Sequence, residues 1–410
     1  MEEWKEVRLG DYVQFQNGYA FKSSDFQNNG SHKIVKIKEL KDGIVKFFED
    51  TASVDFNDSD DLRKYELLPN DVVFALTGDP VSKPNPLSWV GRVSIYRKTV
   101  KAYLNQRTCK ILKSENIDNL FLYYYFRQWE NFYSLASKAT GSASQANIST
   151  NTIADTIINL PPLPTQQKIA AILSSLDDKI ELNNKINTNL EQQAQALFKN
   201  WFVDFEPFCG KMPEGWKEKS LGDICDCVLG GTPSREKKEY WNGDIPWINS
   251  GEVNLFRITE PSEYITKKGL EQSSTKLLPK KATVIAITGA TLGQVSLLEI
   301  DSCANQSVVG IIPNEYLPYE YIYPMINERI HELLSHQTGG AQQHINKQNV
   351  QGLLISLPTQ DVLQKYSAIV NPIYERISNN CFENKNLSRI RDTLLPKLMN
   401  GEIEVVSVKK

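Results

Sequence analysis

The chain has 410 residues, of which 40% are hydrophobic and 23% charged, and its formal net charge is −3. This composition is typical of a globular protein of two or three domains, and no apolar run approaches the about 20 residues that span a bilayer. The polar start Met1–Lys5 predicts no secretory signal, and six scattered cysteines indicate reduced thiols in a cytoplasm rather than a zinc site. The net charge argues against a polycation that binds nucleic acid alone, because sequence-independent binding depends on Lys and Arg at phosphates.

Short β-branched runs bounded by Gly, Pro and Asn predict strands, and longer aromatic-rich segments predict helices. In chain order, the predicted strands are His32–Ile37, Val72–Leu76, Val90–Arg97, Thr108–Leu112, Ala282–Ile287, Gln294–Glu299 and Ser307–Ile312. The predicted helices are Asn119–Ser137 and Tyr319–Ser335, and rings on one face of the first, such as Tyr123 and Tyr124, are expected in the core. Strands followed by a helix, without strict βαβ alternation, indicate compact α+β domains.

Two further segments carry an apolar seam at alternating steps of four and three residues, which indicates long helices packed on another helix. The first seam comprises Ile169, Leu173, Leu176, Ile180, Asn183, Asn187, Leu190, Ala194, Leu197 and Trp201. The second lies 197 residues later and comprises Tyr366, Val370, Ile373, Ile377, Asn380, Asn384, Leu387, Arg391, Leu394 and Leu398. Pro372 predicts a kink or break in the second helix and Pro396 a disturbed last turn. Arg391, which replaces Ala194 of the first copy, is expected at a solvent-exposed end.

Both seams carry two asparagines at the same central positions, Asn183 and Asn187 in the first and Asn380 and Asn384 in the second. If the helices pair antiparallel about a pseudo-twofold axis, the polar layers meet and the other layers stay mostly apolar. A buried Asn lowers stability but disfavours every register that places it against Leu, so these four residues are predicted to fix the register. The alternative is a helical hairpin inside an ordinary core.

The duplication extends beyond the helices. Leu9-Gly10-Asp11 recurs 212 residues later as Leu221-Gly222-Asp223, and Asn105-Gln106 recurs as Asn305-Gln306. Because the offset falls from 212 to 197, the second copy is about fifteen residues shorter, a difference expected in loops. The predicted organisation is a first domain at 1–163, a spacer helix at 164–206, a second domain at 207–357 and a second spacer helix at 358–410.

The chain lacks the motifs of common catalytic and cofactor sites. It has no G-x-x-x-x-G-K-[ST] phosphate loop, no strand-coupled G-x-G-x-x-G loop and no metal-ligand spacing among its four histidines. Acidic pairs such as Asp177-Asp178 are interpreted as solvent-exposed helix surface. We therefore expect neither a catalytic residue nor a metal or cofactor bound by this chain.

Polar loops that contain glycine occur at matching places in the two copies. Glycine allows a backbone to approach closely, and amide, hydroxyl and cationic side chains read base edges and hold phosphates. For a single residue an ordinary polar loop is the commoner explanation, but two such surfaces on one rigid spacer favour DNA recognition. The candidate DNA-binding residues are Lys22, Thr77, Lys83, Asn85, Arg92, Lys138, Ser142 and Gln145 in the first copy, and Thr232, Ser234, Arg235, Lys237, Lys238, Asn249, Ser250, Thr291, Gln342 and Gln343 in the second.

Over essentially its whole length the chain resembles the specificity subunits of type I restriction–modification systems. The resemblance rests on the runs LPPLPTQQKI at 160–169, GDIPWI at 243–248, TGATLGQV at 288–295 followed by Asn305-Gln306, and LLPKLMNGEI at 394–403. The first copy departs from the pattern, because Thr77-Gly78-Asp79-Pro80 replaces the Gly-Ala-Thr loop of the second.

The resemblance implies two α+β target recognition domains, each reading half of a split double-stranded DNA target, separated by an antiparallel two-helix coiled coil. It also implies two methyltransferase subunits and restriction/translocase subunits as partners, with S-adenosylmethionine, ATP and Mg on those partners and adenine as the methylated base. The chain itself is then a non-catalytic, cytoplasmic subunit without a membrane role. A seam of 32 steps spans about 48 Å at ~1.5 Å per residue, or roughly one to one and a half turns of DNA.

Two other functions remain as alternatives. One is a standalone DNA methyltransferase or nuclease with a recognition module, against which the missing cofactor and metal motifs argue. The other is a purely structural coiled-coil adaptor, which a DNA-binding measurement separates from the first interpretation.

Overall fold

The computed structural model describes residues 4–27, 29–55, 60–335 and 344–405. The chain forms two compact units, one of residues 1–178 with 387–410 and the other of residues 179–386. Each unit combines small β-sheets with helices, as the predicted α+β class requires. No helix within the described ranges is long and apolar enough to cross a membrane.

In the residues that the structure describes, the first unit is built from short strands, three short α-helices, the beginning of one long helix and the end of another. Its strands are β1 Lys5–Arg8, β2 Phe15–Asn17, β3 His32–Val35, β4 Leu40–Lys41, β5 Ile44–Val45, β6 Ser53–Val54, β7 Val72–Ala75, β8 Thr77–Gly78, β9 Val93–Ile95, β10 Ala102–Leu104, β11 Thr108–Ile111, β12 Thr140–Ser142, β13 Gln145–Asn147 and β14 Ile157–Leu160. Its helices are α1 Asn119–Arg127, α2 Trp129–Ser137, α3 Thr150–Ala154 and α4 Leu163–Phe202, of which α4 continues into the second unit.

The largest sheet of the first unit has the strand order β2-β11-β7-β9-β5-β4. Smaller sheets have the orders β10-β3-β6, β12-β13-β8 and β1-β14. All four residues of β7 are buried, because one face of the sheet packs under α1 and the other against a second apolar cluster. Tyr123 and Tyr124 of α1 are buried in this core, as the spacing of the rings predicted.

The second unit repeats this arrangement. Its strands are β15 Lys217–Ser220, β16 Cys227–Leu229, β17 Trp241–Ile248, β18 Glu263–Ile265, β19 Leu277–Leu278, β20 Thr283–Ala286, β21 Val295–Leu297, β22 Ser302–Ala304, β23 Val308–Ile311 and β24 Leu354–Leu357. Its helices are α5 Lys267–Glu271, α6 Tyr319–Ser335, α7 Lys347–Gln351 and α8 Gln360–Met399, of which α8 ends in the first unit.

The strand order of the second unit shows that the sequence repeat is also a structural one. The sheet β16-β23-β20-β21 has the same order as β2-β11-β7-β9, and β22 pairs parallel to β17 as β10 does to β3. Ser149 and Asn346, 197 residues apart, cap the equivalent helices α3 and α7 by accepting a hydrogen bond from the third helical N–H. Two pseudo-repeated domains are therefore confirmed.

The predicted seams lie on the buried faces of α4 and α8, since none of their twenty positions is exposed. In the second unit the amide Nδ2 of Asn183 donates to Oδ1 of Asn384 at 2.9 Å, and that of Asn380 donates to Oδ1 of Asn187 at 2.8 Å. Ascending positions on α4 thus pair with descending positions on α8. The antiparallel pairing and the meeting of the polar layers are confirmed within this unit.

The structure corrects two predictions about helix continuity and two about the exposure of charged residues. The expected helix 119–137 is two helices, because Gln128 is extended (ψ 132°) and separates α1 from α2. Of the kink or break expected at Pro372, the break is absent, because α8 runs without interruption from Gln360 to Met399. Pro372 lies on the exposed side of α8, so burial of the opposite seam offsets the lost backbone hydrogen bond, which costs about 3 kcal/mol.

The two predictions about exposure, for Arg391 and for Asp177, are wrong. Arg391 is not at a solvent-exposed end, because its Nη1 lies 2.7 Å from Oδ1 of Asp177 and only 15% of its side chain is exposed. The hydroxyl of Tyr124 donates to Oδ2 of the same carboxylate at 2.7 Å. Asp177 is therefore a half-buried link between α1, α4 and α8 rather than the solvent-exposed helix surface that the sequence suggested.

Candidate nucleic-acid interface

Four segments of the first unit meet at one edge of its largest sheet, and one of them is the strand pair β12 and β13, which joins β8. The N–H of Gly18 donates to the carbonyl of Thr108 and that of Tyr19 to the carbonyl of Leu104, both at 2.9 Å. From the other side, the N–H of Leu76 donates to the carbonyl of Arg107 at 2.9 Å. We call this region, formed by residues 16–22, 76–79, 105–108 and 140–147, the first edge.

The second unit has an equivalent edge with the same backbone bonds. Gly230 donates to Val308 at 3.0 Å and Gly231 to Ala304 at 2.8 Å, while Ile287 donates to Ser307 at 2.9 Å. We call residues 228–234, 287–291, 305–308 and 344 the second edge. The same framework therefore presents a polar surface in both units.

A glycine at each edge allows the neighbouring turn to pack closely. A Cβ atom on Gly18 would lie 2.0 Å from the carbonyl oxygen of Asn105, and one on Gly230 would lie 2.1 Å from that of Asn305. No other residue fits at these two positions unless the backbone moves. Glycine is therefore required at these two positions because two backbone segments approach each other closely.

Three of the first copy's candidates lie in the small sheet β12-β13-β8. Thr77 in β8 donates its hydroxyl proton to Oδ1 of Asn147 in β13 at 2.8 Å. Ser142 and Gln145 are exposed on the paired strands β12 and β13. Lys138 is exposed at the C-cap of α2, two residues before β12. The structure therefore brings these four candidates to neighbouring positions along the chain or the sheet.

The loop after β8 carries three more candidates in different environments. Lys83 and Asn85 are exposed, and Oδ1 of Asn85 accepts a hydrogen bond from the N–H of Leu87 at 3.1 Å. Arg92 is half-buried and donates to the carbonyl of Leu87, and burial lowers the pKa of its guanidinium. Arg92 and Asn85 line one cleft of about 540 Å³ with Trp129. Arg92 thus supports the loop from within instead of projecting from it.

Lys22 lies in a different part of the first edge. It is exposed, and its N–H donates to the carboxylate of Asp25 at 3.3 Å at the start of a short 3₁₀ turn. The backbone immediately before it is anchored by Tyr19, which forms a bridge to Asn105. The edge therefore includes the segment that leads to Lys22.

The second copy's candidates Thr232, Ser234 and Arg235 follow the glycines of the second edge. The hydroxyl of Thr232 donates to the side-chain carbonyl of Gln306, and the carbonyl of Ser234 accepts a bond from the indole N–H of Trp241. Arg235 forms a two-pronged ion pair with Glu263, with its second N···O distance 2.8 Å.

Arg235 is held in place by more than its ion pair. Its guanidinium carbon lies 3.6 Å from the centroid of the Trp241 ring, which is a close cation–π contact. The hydrogen bonds of the pair raise the pKa of Arg235 and lower that of Glu263. About half of the Arg235 side chain, 54%, is nevertheless exposed, so the residue is preorganised and accessible.

The remaining second-copy candidates form two groups. Lys237 and Lys238 are exposed at the start of a 3₁₀ turn, and a hydrogen bond to the hydroxyl of Tyr240 raises the pKa of Lys237. Asn249 caps the 3₁₀ turn Ser250–Asn254 by accepting from the N–H of Gly251 at 2.7 Å. This turn contacts the turn Gly289–Thr291, so Asn249, Ser250 and Thr291 lie near one another. Gln342 and Gln343 lie outside the described residues.

The sequence-based selection missed the turns at the centre of both edges. Gln106 and Arg107 are exposed in the first unit, and Gln306 is exposed in the second. The signal was present, because Asn105-Gln106 and Asn305-Gln306 are repeated polar pairs. A search for polar residues that are repeated in both copies and lie between predicted strands would identify these turns.

The described part of the chain contains no cluster of three or more His, Cys, Asp or Glu side chains that could hold a metal ion. All six cysteines are free thiols, and burial raises the pKa of Cys227 and Cys303 to about 11. The geometry of both edges instead provides amide, hydroxyl and guanidinium groups on a fixed backbone. These are hydrogen-bonding groups suited to recognition.

The fold is a duplicated α+β domain with the same polar edge on each copy. This arrangement is that of a protein with two paired recognition modules. Residues 1–192 and 213–386 match the family model described as the type I restriction modification DNA specificity domain. The chain therefore belongs to the family of type I restriction–modification specificity subunits, which confirms the resemblance identified from the sequence.

Individual relatives agree with this assignment. The chain is 30% identical over 346 residues to the type I restriction enzyme HindI specificity subunit of Haemophilus influenzae, a match covering 67% of this chain and 74% of that protein. It is 28% identical over 331 residues to the MjaIX specificity subunit of Methanocaldococcus jannaschii, covering 77% and 76%. Its fold is similar to the crystal structure of a type I system S subunit from M. genitalium, with a TM-score of 0.58, 16% identity and coverage of 98% and 97%.

Proposed function

We propose that the chain is the subunit that selects the DNA target of a type I restriction–modification complex, with each unit reading one half of a split sequence. The observation that carries the proposal is the pair of edges, whose backbone hydrogen bonds are equivalent in the two units. A framework that is built twice provides two binding surfaces of the same kind. Membership of the specificity-subunit family supports DNA as the ligand.

The side chains on the shared framework differ in ways that suit two different half-sequences. The position of Thr232 in the second edge is occupied by Ala20 in the first, and that of Ser307 by Arg107. Arg donates two hydrogen bonds to guanine in the major groove, whereas hydroxyl side chains are less selective. Equivalent positions with different side chains are expected to select different bases.

Chemistry on the DNA is assigned to partner subunits. We propose two methyltransferase subunits, which bind S-adenosylmethionine and methylate adenine, and restriction subunits, which use ATP and Mg. Because a flipped base must enter a catalytic pocket, base flipping would also be a task of the methyltransferase. A net charge of −3 is compatible with partners that supply much of the phosphate neutralisation. The proposal places the assembly in the cytoplasm, where the DNA lies.

The helix pair has a separate role in the proposal. The hydrogen-bonded layers of Asn183 with Asn384 and Asn187 with Asn380 disfavour other registers of α4 and α8. We propose that this register fixes the number of base pairs between the two half-sequences.

The test is selection of bound duplexes from a random library by the full chain in complex with its methyltransferase subunits. The expected motif is two short sequences separated by a constant number of unspecified base pairs. Gln145→Ala is expected to change the first half only and Arg235→Ala the second half only, because the residues belong to different units. An uninterrupted motif, or one substitution that alters both halves, would contradict the proposal. A complex that binds all duplexes alike would instead favour a structural adaptor.

A further inference from the structure

The two edges differ in most exposed polar side chains but share one turn. Asn105 and Asn305 each open a four-residue turn, in which the carbonyl of Asn105 accepts from Thr108 N–H at 2.9 Å and that of Asn305 from Val308 N–H at 3.2 Å. The next residue is Gln106 in one unit and Gln306 in the other, and both are exposed. We call these the Asn–Gln turns.

Each Asn–Gln turn is held rigidly from both sides. The N–H of Asn105 donates to the carbonyl of Val35 at 3.1 Å and that of Asn305 to the carbonyl of Ile248 at 3.0 Å. The close approach of Gly18 or Gly230, described above, fixes the opposite side of the turn. A projecting residue on such a turn has little freedom in its backbone, so binding through it requires little ordering.

Donor groups remain available at the tip of each turn. Among the described residues, neither the backbone N–H of Gln106 nor that of Gln306 donates to a backbone carbonyl. In the second unit the hydroxyl of Thr232 holds the carbonyl oxygen of the Gln306 side chain, which leaves the amide NH₂ to donate elsewhere. Each turn thus presents a backbone N–H and a side-chain amide, two donors suited to an anionic oxygen.

A residue that is identical in both units cannot distinguish two different half-sequences. It is suited to a feature that both halves share, and the sugar–phosphate backbone is such a feature along every duplex. On the basis of the proposed function, we propose that Gln106 and Gln306 bind equivalent DNA phosphates and so position each edge on the duplex. The flanking residues Arg107 and Ser307, which differ, are then free to contribute to base selection.

The proposal is tested with the full chain in its methyltransferase complex, using the target duplex found by selection. Gln106→Ala and Gln306→Ala are each expected to lower affinity about tenfold, the loss of a hydrogen bond to a charged acceptor, without changing the selected motif. Gln192→Ala, which removes an exposed glutamine from α4, is the matched control and is expected to leave affinity unchanged. The substituted side chains are exposed, so folding is expected to persist and circular dichroism verifies it.

A scan with single neutral methylphosphonates then identifies the contacted phosphate. The expected result is one position in each half where the neutral group weakens the wild-type complex about tenfold but does not further weaken the matching Gln→Ala variant. Any of three results would overturn the proposal. They are a changed base preference in either variant, wild-type affinity in both variants, and methylphosphonates that weaken the variants as much as the wild type at every position. Failure of the wild-type complex to select any split motif would instead refute the proposed function itself.

Discussion

Replacement of the buried amide pair Asn187 and Asn380 by leucine tests how the polar layer acts in the helix seam. Both residues are 2% exposed, and Nδ2 of Asn380 lies 2.8 Å from Oδ1 of Asn187. Either single Asn→Leu change leaves the other amide buried without this partner, at an expected cost of about 1–3 kcal/mol in the free energy of unfolding. The double replacement removes both polar groups and buries apolar surface, so it is expected to be neutral or stabilising. The coupling energy between the two changes is therefore at least about 2 kcal/mol.

Urea denaturation of the full chain, followed by circular dichroism, measures the four free energies of this cycle. Hydrogen exchange of α4 and α8 assigns the transition to the helix pair. The matched control is Asn184→Leu, because Asn184 accepts a bond from Asn384 on the exposed side of the same helices. That change is expected to alter stability by less than about 0.5 kcal/mol. Additive effects of the two buried replacements, within about 0.5 kcal/mol, would refute the reasoning.

Three further changes test other parts of the structure. Arg257→Ala is expected to cost about 3–5 kcal/mol in urea denaturation, because it leaves the carboxylate of Glu191, now 2.6 Å from Arg257, without its buried partner; a loss below about 1 kcal/mol would contradict this. Burial raises the pKa of Glu320 above its ordinary value of 4.5, so the folded protein holds this proton more tightly than the unfolded chain does. The resulting stabilisation is fully present below pH 4.5 and is lost as the pH rises through the raised pKa. Glu320→Gln should accordingly stabilise the protein relative to wild type at about pH 8 but not at about pH 4, and an equal difference at both would be inconsistent with the raised pKa. Gly230→Ala is expected to destabilise the second unit and weaken DNA binding, because the new Cβ would lie 2.1 Å from the Asn305 carbonyl oxygen; unchanged thermal stability would show that the turn can move.

The long-range features of the fold were accessible from sequence because they depend on periodicity. The seam of α4 and its copy in α8 follow from apolar residues repeated at fixed steps, and the Asn layers follow from symmetry between the copies. The residues of these helices that become buried are the apolar residues whose spacing is visible in the sequence. The strands of the α+β class were accessible for another reason, because short runs such as β7 are continuously apolar.

The errors arose where tertiary contacts override local preference. Pro372 breaks an isolated helix, but its exposed position lets the buried seam of α8 continue. The extended backbone of Gln128 has no local sequence signal, and the ring of Trp129 after it packs 5.8 Å from that of Trp89, a residue distant in sequence. The link between Asp177 and Arg391 joins residues 214 positions apart. No local pattern identifies such a pair.

The candidate site was only partly accessible from sequence for a related reason. Composition identified polar loops, but it could not separate Arg235, which is stacked on Trp241 and exposed, from Arg92, which is half-buried and supports its own loop. The importance of the Asn–Gln turns depends on their place between two other segments, which only the hydrogen bonds across the edge reveal.

The most direct test of the account is sequencing of methylated bases in host cells with and without the intact chain. The account predicts that one split motif loses its methylation when the chain is deleted and regains it when the chain is restored. Exchange of two segments of the second edge, residues 228–234 and 287–291, for those of a relative is expected to change the second half of the motif alone. Persistence of methylation without the chain, or an uninterrupted motif that depends on it, would contradict the claim that two units read two separate half-sequences.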